Sequence, residues 1–128
     1  MKFEHFLGTD ICDDVNKVRG ILSKKDINDT NEFWISIETQ FPFMGVLTNK
    51  TLAYVHFFDE DGSPGFRALS NCDIGLDLDA TTTFYSNNRS EIIEVENECV
   101  ISLDNAIKIV QEFYTTNKMP ICVEWDEL

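Results

Sequence analysis

The stretch TLAYVHFF, residues 51–58, carries apolar or aromatic side chains at both alternating positions. Successive side chains of an extended strand point to opposite faces, so a run that is apolar on both belongs inside a sheet. Its neighbours share the period of two. Phe33, Ile35 and Ile37 fall on one face while Trp34, Ser36 and Glu38 fall on the other, as in a half-buried strand. Residues 43–48 make another strand, joined to the central one by the short turn at Asn49 and Lys50. Strand character resumes at residues 66–70 and 81–86, with a short strand at 92–95 and a final one at 121–125, where Ile121, Val123 and Trp125 share a face. Consecutive strands on short turns predict an antiparallel meander.

Two segments follow a helical period instead. From an N-cap at Thr9 or Asp10, the residues Ile11, Val15, Val18 and Leu22 repeat on one face, and Lys24 and Lys25 suit the C-terminus. Ser102 caps a second helix, with Asp104 in its first turn and Leu103, Ala106, Ile107, Val110, Phe113 and Tyr114 as its apolar stripe. Pro120 lies beyond its end. Residues 26–31 and 71–80 read as polar loops. The order helix, strands, helix, strand predicts an α+β fold: one domain over residues 1–128, an antiparallel meander with two helices packed on one face.

At 128 residues, 43% hydrophobic and with ten Phe, the chain has material for a single real core. Its charge is one-sided: 23 acidic against 10 basic residues give −13. That balance disfavours nucleic acid and anionic membrane as partners, since the sequence shows no basic patch to offset it. Acidity alone keeps a domain soluble; it also speeds association with a basic partner. The four cysteines, Cys12, Cys72, Cys99 and Cys122, form no CxxC pair, and the start MKFEHFLGTD lacks the apolar core of a secretory signal. Reduced thiols and a cytoplasmic location are the expectation.

Motifs for chemistry are sparse. Asp59-Glu60-Asp61-Gly62 resembles the start of a calcium loop, but Pro64 and Gly65 follow and Ser70 stands where the twelfth ligand belongs. A turn between strands needs the same residues for backbone reasons. The cluster Asp73, Asp77 and Asp79 is read likewise. His5 and His56 are far apart, the cysteines are isolated, and neither a GxSxG elbow, a GxGxxG nor a phosphate-binding loop is present. No cofactor, metal or catalytic residue is therefore expected. What remains is an aromatic and acidic surface: Trp34, Tyr54, Tyr85, Trp125 and Arg67 are the types that dominate binding hot spots, although for Trp34 and Tyr54 core packing or a strand pair is the favoured expectation over exposure.

The segments FWISI, LAYVHFFDEDGSPGFRALSN, TTTFYSN, ISLDNAIKIVQEFYTTNKMP and VEWDEL together resemble the first-numbered family of immunity proteins of bacterial polymorphic toxin systems. The resemblance covers residues 33–128, and the acidic stretch at 72–80 is longer than that family's pattern. It implies a non-enzymatic cytoplasmic protein, a monomer that binds a cognate toxin domain one to one. The toxin would be a basic deaminase or nuclease. On this reading the partner-facing residues are Asp59, Glu60, Asp61, Arg67, Asp73, Asp77, Asp79, Tyr85, Glu124 and Trp125, although Arg67 is expected first to hold the corner by pairing with Asp59, Glu60 or Asp61. Two alternatives stand beside it: an acidic adaptor or nucleic-acid mimic without a toxin, and an enzyme using buried carboxylates in a deep pocket.

Overall fold

A computed structural model describes residues 1–70 and 74–128. Its elements are β1 (Lys2–His5), β2 (Gly8–Ile11), α1 (Val18–Leu22), β3 (Thr30–Ser36), β4 (Phe43–Asn49), β5 (Leu52–Phe58), β6 (Phe66–Ala68), β7 (Thr81–Ser86), β8 (Glu91–Glu96), β9 (Ile101–Ser102), α2 (Leu103–Thr116) and β10 (Trp125–Glu127). The fold is α+β. The main sheet runs β10-β6-β5-β4-β3-β1-β2, with β9 added to β5, and these strand pairs are antiparallel.

Both helices cover one face of this sheet. Phe33 and Ile35 of β3, Met44 and Val46 of β4, and Val55 and Phe57 of β5 meet Val18 and Leu22 of α1 and Ile107, Val110 and Phe113 of α2 in one buried cluster. Phe57 and Phe113 pack edge to face at 5.7 Å. Fully burying each such side chain contributes about 1.5–3 kcal/mol. The second helix begins as expected, with Ser102 Oγ accepting the Asn105 N–H at 3.1 Å. It ends where Asn117 turns left-handed (φ 51°) and its N–H reaches the Phe113 carbonyl at 2.8 Å.

The opposite face is half covered. β7 and β8 form a separate hairpin that lies over Tyr54 and Leu47, closing a second cluster with Phe84, Val95, Cys99 and Val100. This second cover is why β5 is apolar on both faces.

Three boundaries differ from the sequence expectation. The first helix does not begin at Thr9 or Asp10: Gly8–Ile11 pairs with β1, Asp14 caps a 3-10 turn, and the α-helix spans only Val18–Leu22. The sheet ladder outcompetes the helical period there, leaving Ile11 exposed. The last strand starts at Trp125, not Ile121, which is 91% exposed. β6 stops at Ala68, two residues short of the expected Ser70. Among the described residues no helix is long and apolar enough to cross a membrane.

Candidate functional site

The register places one row of side chains across the uncovered half of the sheet. Asp126 pairs with Arg67, Arg67 with His56, His56 with Gly45, Gly45 with Trp34, and Trp34 with Glu4. A second row beside it runs through Phe58, Phe43, Ser36 and Lys2. Phe43 stacks on Phe58 at 4.6 Å and Trp34 lies 5.9 Å from Phe43. Trp34 is 41% exposed, so this surface pairs aromatic area with charge at both ends.

Local chemistry fixes the ends of the first row. Arg67 Nε donates to Asp126 Oδ2 at 2.9 Å, and Glu96 stands 3.7 Å from the guanidinium. The Asp126 bond holds the guanidinium firmly charged. His56 is hydrogen-bonded to the Tyr54 hydroxyl. Burial, reinforced by the Arg67 charge, depresses the imidazole to about 4, so it is neutral at pH 7. Burial raises the Tyr54 phenol in turn. At the other end, Glu4 pairs with Lys2 at 3.1 Å.

Two hollows flank Trp34. An open cleft of about 730 Å³ lies on one side, lined by Glu4, Ile35, Glu38 and Phe43 among others. On the other side, between sheet and hairpin, is a slot of about 160 Å³ lined by Trp34, Gly45, Tyr54, His56, Ile93 and Glu32. Small-molecule pockets typically run from about 300 to 1,000 Å³, and the slot is of side-chain size instead. Glu32, 7% exposed, accepts from the Ser86 hydroxyl and, at 3.2 Å, from the Asn87 N–H.

The residues singled out from sequence are dispersed. Asp59, Glu60 and Asp61 are exposed at the tip of the β5–β6 connection, which is a turn with Gly62 and Gly65 at φ 82° and 90°. A Cβ on Gly65 would meet the Phe58 ring at 2.9 Å, so that corner requires glycine. Arg67 does hold a corner, but its acids are Asp126 and Glu96. Asp77 and Asp79 share an exposed turn in which Asp77 Oδ1 accepts the Asp79 N–H at 2.9 Å. Asp73 lies outside the described residues. Tyr85 is on the outer face of the hairpin with Arg89 over its ring at 3.9 Å. Trp125 closes the core beside Phe57 at 6.0 Å, its Nε1 donating to the Pro120 carbonyl at 2.8 Å, while Glu124 is exposed.

Glu32, Phe43, His56 and Phe58 were not singled out for this surface. Their signal was the polar-aromatic face of the period-two pattern, opposite Phe33 and Val55. Among the described residues no three His, Cys, Asp or Glu side chains converge as a metal would need. Carboxylates such as Asp10 and Asp104 titrate below their usual range, first because Lys24 and Arg19 respectively hydrogen-bond to them. A general acid needs the opposite shift. The arrangement is suited to recognition by contact.

No family model matches the chain. Over 129 aligned residues spanning all of both chains, it is 26% identical to the double-stranded DNA deaminase immunity protein of Burkholderia cenocepacia (strain H111).

Proposed function

We propose that this protein is an immunity protein that binds and neutralises a cognate toxin domain of the deaminase class, using the uncovered face of its sheet. It acts by binding and not by catalysis. The carrying observation is the end-to-end similarity to a double-stranded DNA deaminase immunity protein, with neither chain extending beyond the match. On this reading the exposed Asp59, Glu60 and Asp61 tip and the exposed Asp77 and Asp79 turn add acidic charge for the approach of the partner.

The physics supports the same reading. An enzyme that works on DNA presents positive charge to phosphates. A domain carrying −13 is drawn to that surface from a distance, and aromatic contacts then hold it. Neutralisation would take place in the cytoplasm, where the toxin would otherwise meet the genome.

Co-expression with the toxin domain encoded beside this gene tests the proposal. Cell survival together with a stoichiometric complex on size exclusion is expected. Continued killing without a complex, both proteins being folded, would overturn it.

A further inference from the structure

Glu32 presents a problem that the fold alone does not solve. The residue is buried, 7% exposed, yet the contacts of its carboxylate are neutral: the Ser86 hydroxyl and the Asn87 N–H. Among the described residues no ion pair reaches it, and Arg89, on the same hairpin, instead engages Thr30, Asp26 and the Tyr85 ring. Buried charges are ordinarily paired. Here the carboxylate lies on the wall of a slot that opens beside exposed Trp34.

The slot is shaped for one long side chain. Gly45 contributes no side chain to its floor, the Trp34 indole lies across that glycine, and Tyr54 and Ile93 complete the walls. A guanidinium suits this lining. It stacks on tryptophan, offers a fork of donors to a carboxylate, and sheds water more easily than an ammonium. Each Glu32 oxygen retains acceptor capacity after its present bond. His56, which also lines the slot, is neutral at pH 7 and adds no competing positive charge.

The geometry points to a single arginine of the toxin entering this slot, its guanidinium over Trp34 and bonded to Glu32. The inference rests on the immunity reading and names the contact that anchors it.

The test measures Kd and dissociation rate, at physiological salt, for the toxin domain encoded beside this gene. Glu32→Gln, which keeps an acceptor for Ser86 but removes the charge, is expected to weaken binding about 30-fold, mostly in the off-rate. Trp34→Ala is expected to lose about 10-fold. Asp104→Asn, which removes an exposed carboxylate paired with Arg19 on the second helix and leaves the slot intact, should bind within about 3-fold of wild type. Thermal melts establish that each variant is folded. Alanine substitutions along the toxin's arginines should then find one whose loss is non-additive with Glu32→Gln.

Wild-type binding with an unchanged Kd for Glu32→Gln would overturn the slot and leave the immunity reading standing. Equal losses from Asp104→Asn and Glu32→Gln, or no arginine coupled to Glu32, would also overturn it. No wild-type complex would overturn both.

Discussion

The indole of Trp34 lies over Gly45 so closely that a β-carbon on the glycine would sit 3.0 Å from its Cζ3. Glycine inside a strand loses stability to backbone entropy, so its presence in β4 reflects the ring that needs the space. Gly45→Val should displace the indole and cost about 1–3 kcal/mol by overpacking. The urea midpoint reports the cost, and near-ultraviolet circular dichroism reports the ring. In a Trp34→Ala background most of the penalty should vanish, because contacting residues couple. An equal penalty in both backgrounds would refute the steric account.

Phe57 and Phe58 are neighbours in sequence and face opposite sides of the sheet. Phe57 is buried against Phe113 and Trp125, whereas Phe58 stacks on Phe43 over the uncovered face. Phe57→Ala should therefore cost about 3–5 kcal/mol of folding stability. Phe58→Ala should cost about 1 kcal/mol and act mainly on toxin binding. Denaturant titrations of the two variants, with binding measured on the second, check the assignment; similar stability losses would contradict it.

This pair also shows what the sequence makes legible. From β3 to β8, strand identity, face and turn were readable because they depend on adjacent residues, as in the two-sided apolar run in β5 and the glycines of DEDGSPG, and the Ser102 cap was readable likewise; β1, β2 and β9 were not. The start of the first helix was not readable. Ile11, Val15, Val18 and Leu22 satisfy a helical period, but Gly8–Ile11 gains a ladder with β1 that only tertiary pairing supplies. The candidate surface was readable in its alternation and hidden in its extent. Which half of the second face stays open depends on where the β7–β8 hairpin lands, and the bonds that hold it there, Ser86 to Glu32 and Asn49 to the Thr83 carbonyl, join residues 54 and 34 positions apart.

The neutral His56 predicts a dependence of stability on pH. Its folded value is about 4 against 6.5 for the free group, so between those values the unfolded chain holds a proton that the folded chain does not. Its contribution is complete above pH 6.5, falls as pH drops through this window and is lost near 4, amounting to at most about 3 kcal/mol. Carboxylates such as Asp10, held low first by its Lys24 hydrogen bond, add their own losses at lower pH. Those losses are common to wild type and a His56→Gln variant. Melting temperatures from pH 7 to 4 should fall more steeply for wild type; parallel curves would assign the dependence elsewhere.

The exposed tip at Asp59, Glu60 and Asp61 should act on rate where Glu32 acts on residence time. Its carboxylates are solvated and close no buried contact, so their attraction for any basic surface is long-ranged and screened by salt over about 10 Å at 0.1 M. Replacing all three with Lys should change stability by no more than about 0.5 kcal/mol. It should slow association with the toxin domain about 10-fold at low salt, and the difference should shrink as salt rises while the dissociation rate stays near wild type. Stopped-flow or surface-binding kinetics across a salt series separates the two. An on-rate indifferent to the reversal would place the encounter surface away from this tip, and a faster off-rate with unchanged association would make the tip part of the closed interface instead.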